Sequence, residues 1–410
     1  MKLLQLCHKP VFAPLDGGKI AMNAMAEGFR SQGVEIHQLM IETPSHKIIQ
    51  DLVGKHAFAW KSSFIDTQIN IASAFKNLFN STSYNLSRFD NTEYNNQIIS
   101  EVKDSQIDIV LAEGIYTLAG IDKLKDAGLK NIILRAHNVE HLIWKRIANQ
   151  QKNPLKRCYL NMMANRLRRD ELNICNKVAG IIAISEVDAE VFRSMGVTVP
   201  ITVVGIGVEI PKLSSKPTLK KQLFHLGSMD WMPNVEGIDW FIKNVWPQVR
   251  ILMPDLKFVL AGYNMPERFK QLENSGIEVK EAKNSAEFFQ SEGVMIVPLQ
   301  SGSGIRVKII EGLSLGIPVI STKVGVEGIP ATDKKHWFIA DTSEAFVLTI
   351  SELFSKPALQ AEISENAITF ADENYRIERL GEKSCQFIRD SLDFEDTTGT
   401  FTISMAHRQR

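Results

Sequence analysis

Short apolar segments alternate with amphipathic segments through almost the whole chain, and this alternation constrains the fold more than any other feature. Apolar runs with the length of buried strands occur in the first half as KLLQLC, DIVLAE and NIILRA, and in the second half as QLFHLG, KFVLAGY and VMIVPL. Segments with a helical period lie between them, for example GKIAMNAMAEGFRSQGV. Because strands that alternate with helices form parallel sheets covered on both faces, the sequence predicts an α/β fold.

A change in composition divides the alternating pattern into two halves. Residues 201–221 are rich in Pro, Ser and Lys and have no clear period, so they are interpreted as a linker. The sequence therefore predicts two Rossmann-like domains facing across a cleft, residues 1–200 and 222–376. Residues 377–392 are expected to form a helix that crosses back to the first domain, and residues 393–410 a poorly ordered tail.

The charge balance and the cysteine content limit the possible binding partners and the cellular compartment. Lys plus Arg and Asp plus Glu both number 47. Proteins that bind nucleic acid mainly through its phosphates usually have an excess of basic residues, so this balance argues against a nucleic-acid partner. The four cysteines are scattered, as expected in a reducing compartment, and the sequence shows no signal peptide and no apolar segment long enough to cross a membrane. A cytoplasmic location is expected. Residues 44–95 mix aromatic and basic side chains and are interpreted as an excursion on the first domain. Contact of this segment with the inner face of a membrane stays open.

The segment VPLQSGSGIRVKIIEGLSLGIPVIST contains the clearest candidate ligand site. A strand leads into a turn of small residues that includes Gly302, Ser303 and Gly304, and a helix follows. Glycine lets a backbone approach a ligand closely, and a helix N-terminus offers unpaired N–H groups that suit phosphate. A plain strand–turn–helix is the alternative interpretation.

Charged residues accompany this turn. Arg306 and Lys308 place positive charge beside it, and Glu311 lies about two turns into the helix, where a carboxylate can accept from ribose hydroxyls. Near the N-terminus, Gly17 and Gly18 lie between the first strand and its helix. This pair is a weak signal alone, because two glycines commonly mark a turn. If the two domains face each other, the pair could line the other side of the same ligand site.

Loops after other strands are expected to open into the same cleft. The loop SMDWMPN contains Trp231 and Asn234, for which packing and ligand contact are equally consistent with the sequence. Gly262 ends a strand whose following loop should lie near a nucleotide base. Arg135 is either a cleft cation or the partner of a nearby carboxylate.

The string HNVEH contains His137, Glu140 and His141 in the H-x-x-E-H spacing of one class of zinc peptidases. His137 directly follows a predicted strand, and Asn138 is a favourable N-cap, so the helix is expected to start after His137. The two histidines would then not share one helical face, and no third ligand segment is evident. A zinc site is therefore the remote alternative, and a structural role is expected for Glu140 and His141.

Four segments together resemble the glycosyltransferases of family 4. They are GGKIAMNAM, RAHNVEH, HLGSMDWMPNVEGIDWF and GSGIRVKIIEGLSLGIPVIST, which span nearly the whole chain in the same order. The resemblance implies the GT-B fold of twin Rossmann-like domains. Within the family, the chain is most similar in type to bacterial sugar transferases of polysaccharide or glycolipid assembly. It also implies transfer of a hexose from a nucleotide-sugar to an acceptor hydroxyl, with retention at the anomeric carbon.

Roles for individual residues follow from this resemblance. His137 would face the sugar near the reacting centre, and Arg306 and Lys308 would stabilise the departing diphosphate. The donor would be a UDP-, GDP- or ADP-sugar, and the acceptor a glycan or a lipid-linked glycan. No cofactor and no metal are expected, since no D-x-D follows a strand. The residues expected to bind the donor are Gly17, Gly18, Gly302, Ser303, Gly304, Glu311 and Gly262.

Two departures from the family pattern keep other functions open. The family has two glutamates in the spacing E-x7-E, and here Ser303 replaces the first while Glu311 matches the second. The loop GSMDWMPN carries Asp230 where many members have an Arg and a Lys, so Arg306 and Lys308 are inferred to replace that charge. A nucleotide-sugar-binding protein without transferase activity and a GT-B epimerase are therefore the alternatives.

Overall fold

A computed structural model describes residues 1–12, 16–54, 56–68, 77, 82–210, 220–229, 231–281, 289, 293–302 and 304–392. The expectations for Ser303, Asp230 and the tail 393–410 lie outside the described residues, as do those for parts of the linker and of segment 44–95.

The first domain is built on a parallel sheet of seven strands in the order β3-β2-β1-β4-β5-β6-β7. Its strands are β1 (Lys2–Cys7), β2 (Glu35–Glu42), β3 (Ala59–Phe64), β4 (Ile109–Glu113), β5 (Ile132–Ala136), β6 (Gly180–Ala183) and β7 (Ile201–Val203). Its helices are α1 (Gly17–Ser31), α2 (Tyr84–Ser87), α3 (Thr92–Asp104), α4 (Ile121–Asp126), α5 (Glu140–Gln150), α6 (Pro154–Cys175) and α7 (Glu186–Met195). Separate apolar clusters cover the two faces of the sheet, as in doubly wound folds.

The second domain contains a parallel sheet of six strands in the order β10-β9-β8-β11-β12-β13. Its strands are β8 (Gln222–Leu226), β9 (Lys257–Gly262), β10 (Ile277–Glu281), β11 (Val294–Val297), β12 (Val319–Ser321) and β13 (Phe338–Ile339). Its helices are α8 (Met232–Asn244), α9 (Trp246–Leu252), α10 (Glu267–Lys270), α11 (Val307–Ser314), α12 (Ser343–Ser355) and α13 (Pro357–Tyr375). The predicted α/β class with two Rossmann-like domains is confirmed.

The last helix, α14 (Ile377–Leu392), belongs spatially to the first domain. It packs on α1, and a Cβ atom placed on Gly28 would lie only 2.9 Å from the carbonyl oxygen of Ile377. The two helices therefore approach backbone to backbone, and the chain crosses from the second domain back to the first. No helix within the described part of the chain is long and apolar enough to cross a membrane.

The structure corrects two sequence interpretations. Residues 59–64 lie inside the segment interpreted as an excursion, yet they form β3, which pairs with β2 at the edge of the first sheet. Residues 201–203 lie in the segment interpreted as a linker, yet they form β7 at the opposite edge. Both are edge strands. β3 exposes three of its six residues and has no continuous apolar run, whereas β7 is half-buried and only three residues long.

Candidate functional site

The turn before α11 has the backbone shape that its glycines allow. Gly302 has φ of 123° and Gly304 has φ of 83°, values that favour glycine over other residues. A Cβ atom on Gly302 would lie 2.9 Å from Nη2 of Arg306 and 3.0 Å from the indole of Trp231. Gly302 is itself exposed, and its lack of a side chain lets the turn pack against Arg306 and Trp231 just before the N-terminus of α11, where a phosphate could meet backbone N–H groups.

Arg306 occupies the N-cap position of α11 and is held by neighbours on both sides. Its guanidinium carbon lies 4.9 Å from the ring centroid of Trp231, and Nη1 donates to the carbonyl of Gly304. Burial lowers the pKa of Arg306 to about 10, although Glu327 acts in the opposite direction. Arg306 is thus a cation at neutral pH, and Trp231 contributes to the site by stacking on it.

Lys308 lies in the first turn of α11 and is half-buried, with its ammonium between two side chains. Its Nζ atom donates to Oδ1 of Asn234 at 3.1 Å and lies 3.4 Å from Nε2 of His225. His225 is fully buried in β8, and its Nδ1 donates to the carbonyl of Ile296 at 2.9 Å, so Nε2 is left as an acceptor. Burial and then Arg306 lower the pKa of Lys308 to about 7. An incoming anion would favour its charged form.

Asn234 serves this lysine from inside α8 and is itself buried. Its Nδ2 donates to the carbonyl of Ser228 at 2.8 Å while its oxygen accepts from Lys308. It therefore ties the loop after β8 to α11 and does not point into open space. Sequence reasoning placed Asn234 and Trp231 near the cleft but missed His225, whose signal was a histidine inside an apolar strand.

Gly17 brings the first domain against the same turn. It is the first residue of α1, and a Cβ atom there would lie 3.2 Å from Cγ2 of Val307. Asp16 caps α1 by accepting from the backbone N–H of Lys19 at 3.0 Å, and it also accepts from Nζ of Lys9 at 2.8 Å. A Cβ atom on Gly18 would lie 3.1 Å from that same Nζ atom. The N-termini of α1 and α11 thus meet across the cleft.

The remaining two residues expected to bind the donor lie at different distances from this centre. Glu311 follows Lys308 by about one turn of α11 and is half-buried, so it shares the helix of the candidate site. Gly262 ends β9, where a Cβ atom would overlap the carbonyl oxygen of Gly227. Close packing of β9 against the end of β8 therefore explains this glycine without a ligand.

On the first-domain side, His137 is fixed by a buried carboxylate. Its Nε2 lies 2.6 Å from Oε2 of Glu113, which ends β4 and is fully buried. Burial raises the pKa of Glu113, but Arg135 and His137 outweigh this and lower it to about 2, so Glu113 is a carboxylate that only accepts. Burial lowers the pKa of His137 more than Glu113 raises it. A neutral His137 must therefore carry its proton on Nε2, which leaves Nδ1 as an acceptor.

A chain of buried polar groups supports Glu113. Gln5 donates to Oε1 of Glu113 at 2.6 Å and accepts from Gln38 at 2.7 Å, so the contacts cross three neighbouring strands. Arg135 is fully buried and donates to Oε2 of Glu113 at 3.2 Å and to the carbonyl of Ala21 at 2.9 Å. Of the two interpretations of Arg135, the structure therefore favours the partner of a carboxylate and contradicts the cleft cation. Sequence reasoning missed Glu113 and Gln5.

The two histidines of HNVEH bind different carboxylates. His137 precedes α5 and contacts Glu113, whereas Nδ1 of His141 lies 2.7 Å from Oε2 of Glu171 on α6. Among the residues that the structure describes, no group of three or more His, Cys, Asp or Glu could hold a metal ion. The string is therefore not assembled as the zinc constellation that its spacing suggests.

The start of α5 differs from the expected N-cap. The helix begins at Glu140 with Val139 as N-cap, because the carboxylate of Glu171 accepts from the N–H groups of Glu140 at 2.8 Å and of His141 at 3.3 Å. A buried acid from a neighbouring helix thus replaces the local cap. Asn138 instead reaches the other domain, where its Oδ1 lies 3.5 Å from the position of a Cβ atom on Gly304.

The geometry brings a glycine turn, two cations and a helix N-terminus of one domain against a helix N-terminus and an oriented histidine of the other. Residues 220–356 match the model of the family Glycosyl transferases group 1. The matched segment contains the turn and α11, and together with the fold it supports a glycosyltransferase.

Similar proteins are found along most of the chain. An uncharacterized 44.6 kDa protein in the cps region of Klebsiella pneumoniae is 25% identical over 291 residues, which are 68% of this chain and 73% of that protein. The crystal structure of Anabaena Alr3699/HepE in complex with UDP has a TM-score of 0.67 at 12% identity and covers 95% of this chain and 100% of its own. The pneumococcal O-GlcNAc transferase GtfA in complex with UDP and GlcNAc has a TM-score of 0.64 at 12% identity, with 96% and 99% covered. These likenesses confirm the predicted GT-B architecture.

Proposed function

We propose that the chain is a retaining, family 4 type glycosyltransferase that moves a hexose from a nucleotide-sugar to a hydroxyl of a glycan or lipid-linked acceptor. The observation that carries this proposal is the N-terminus of α11, where the left-handed Gly302 and Gly304 expose backbone beside Arg306 and Lys308. A helix N-terminus with two adjacent cations fits a diphosphate better than any neutral ligand.

The main task of these groups is to stabilise the leaving diphosphate. As the bond between the anomeric carbon and the phosphate oxygen breaks, negative charge grows on the diphosphate. Arg306 meets it as a preorganised cation because Trp231 and the Gly304 carbonyl hold its guanidinium. Lys308 becomes more strongly charged as the anion arrives, since its pKa of about 7 lies far below that of an exposed lysine.

The sugar would lie between this turn and His137. With Nε2 held by Glu113, His137 presents Nδ1 as an acceptor for a sugar hydroxyl. The acceptor oxygen then bonds to the same face of the anomeric carbon that the phosphate leaves, and its proton passes to a donor phosphate oxygen. In this route His137 positions the sugar, and no side chain forms a covalent intermediate.

The donor, the electrostatics and the relatives lead to three further expectations. UDP is the first nucleotide to test, because the complexes of HepE and GtfA contain UDP. GDP and ADP remain the other candidates. Arg306 and Lys308 supply the positive charge that a divalent ion would otherwise supply, so transfer is expected to proceed in EDTA. Polysaccharide assembly is the process proposed, with the cps-region relative as its support.

One observation favours a second candidate. Ser303 stands where the family pattern has its first glutamate, so a carboxylate aimed at the sugar from this turn is missing. A protein that binds a nucleotide-sugar without transferring it would tolerate this change more easily than an enzyme would. A GT-B epimerase remains the third possibility on the same scaffold.

A transfer assay separates these candidates. Purified protein is incubated in EDTA with UDP-, GDP- and ADP-sugars and with glycan and lipid-linked acceptors, and the anomeric configuration of the product is read by NMR. The proposal expects an acceptor-dependent product with retained configuration, which Lys308→Met abolishes. Lys323→Met is the matched control, since Lys323 is an exposed lysine of the same domain that pairs with Asp341. Nucleotide binding without transfer to any acceptor would favour the binding protein, and an inverted product would contradict the retaining route.

A further inference from the structure

Residues 145–169 form a strongly basic surface in a chain whose net charge is zero. This segment, here called the basic hairpin, comprises the end of α5, the connection and most of α6, and the two helices pack against each other. It contains eight Lys and Arg and no Asp or Glu. Clustered like charges repel one another, and such clusters commonly bind anionic partners.

The tip of the basic hairpin also exposes apolar side chains. Leu155, beside the N-terminus of α6, is 82% exposed, and Ile147 on α5 is 40% exposed. The neighbours Lys152, Lys156 and Arg157 are exposed as well. Large aliphatic side chains among several cations are the composition of segments that lie in the interface of a charged bilayer.

Two further features belong to this surface. A shallow, open depression on α6 is lined in part by Met162, Arg168 and Arg169. At the other end, α5 begins directly after the segment in which Asn138 approaches Gly304, with its Oδ1 3.5 Å from the position of a Cβ atom on Gly304. The basic hairpin therefore continues a helix that starts beside the candidate site.

We propose that the basic hairpin docks the protein on a bilayer that contains anionic phospholipid, with Leu155 inserted among the head groups. Anionic lipid complements the cations, and the bilayer interface accepts the exposed leucine, which a nucleic-acid backbone would leave in water. The docking does not depend on the proposed function. Only the consequence that a lipid-linked acceptor is presented to the cleft rests on it.

Vesicle co-sedimentation tests this docking. Full-length protein is mixed with vesicles of phosphatidylglycerol and phosphatidylcholine, or of phosphatidylcholine alone, at low and high salt. We expect binding to the mixed vesicles only, and weaker binding at high salt. Replacing Lys152, Lys156 and Arg157 by Gln should weaken it about 100-fold, since each cation near an anionic surface contributes about 1 kcal/mol. Leu155→Ser should weaken it about ten-fold.

The second domain offers a matched control. Lys243, Arg250 and Lys257 are exposed there, and Ile251 between them is 81% exposed, close to the value for Leu155. Neutralising these three cations, or Ile251→Ser, should leave vesicle binding unchanged. A melting shift with UDP shows that every variant is folded and keeps its donor site, so that failure of the docking and failure of the proposed function can be told apart.

Three results would overturn the proposal. They are wild-type protein that stays in solution with the mixed vesicles, equal weakening by the hairpin and control variants, and binding to poly(U) as tight as to the vesicles. The last result would indicate a general polyanion surface or a nucleic-acid site.

Discussion

The charge of Lys308 should make the binding of a nucleoside diphosphate depend on pH. Its pKa of about 7 in the free protein means that about half of the molecules carry the charged lysine at that pH. At about pH 9 only about 1% would carry it. If the diphosphate binds the charged form and keeps it protonated, the Kd of UDP should rise about 50-fold between these two pH values.

Calorimetric titration in buffers of different ionisation enthalpy measures this directly. At about pH 8 the free lysine is mostly neutral, so binding should take up about 0.9 proton per UDP. The terminal phosphate of UDP is already ionised there, since phosphate has its second pKa near about 6. Lys308→Met should bind UDP more weakly, without proton uptake and with a flat pH dependence above neutrality. Lys323→Met, which changes an exposed lysine of the same domain, should behave as the wild type.

The reasoning would be refuted if the wild type and Lys308→Met showed the same proton uptake and the same slope of affinity with pH. That result would mean that the ammonium of Lys308 does not meet the phosphates. His225 and Asn234 would then hold the lysine for structural reasons alone.

Further predictions concern the buried acids and the turn. Glu113→Gln leaves Arg135 without its carboxylate and should cost about 3 kcal/mol in urea unfolding at neutral pH. Because the folded pKa of Glu113 is lowered to about 2, its contribution is full above the unfolded pKa and falls as the pH drops toward 2, so the deficit should shrink in acid; an equal deficit throughout would contradict this. Gly302→Ala should cost at least about 1 kcal/mol and weaken UDP binding, because φ is 123° and the new Cβ meets the neighbouring guanidinium. Glu171→Ala should destabilise the protein by about 1 kcal/mol or more, whereas Asn138→Ala should leave its melting temperature unchanged; the opposite order would restore Asn138 as the cap of α5.

The fold could be predicted because its central strands are buried on both faces. A strand such as β4 or β5 is then apolar at every position but one, Glu113 or Arg135, and this run is visible without knowledge of its neighbours. The edge strands β3 and β10 expose several side chains and β7 has only three residues, so none of them shows an apolar run with the length of a buried strand. Their existence depends on pairing with a strand elsewhere in the chain, which local sequence does not encode.

The same contrast applies to the candidate site. The turn at Gly302 and Gly304 is a local requirement of the backbone, and sequence could predict it. Glu113, Glu171 and His225 acquire their roles from partners far away in the sequence, 22 to 108 residues distant. One signal was present, since a charged residue within a buried strand almost always has a partner. Glu113 and Arg135, in adjacent apolar strands, could have been paired on that ground.

The most direct test of a nucleotide-sugar site at the N-terminus of α11 is the melting temperature of the purified protein with UDP, GDP or ADP in EDTA, for the wild type and for Glu311→Ala. A ligand at about 100 times its Kd adds about 2.7 kcal/mol of stability, which is visible as a melting shift. We expect one nucleotide to stabilise the wild type and to lose that effect in the variant. Stabilisation by none of the three, or an equal shift in the variant, would contradict the assignment of the site.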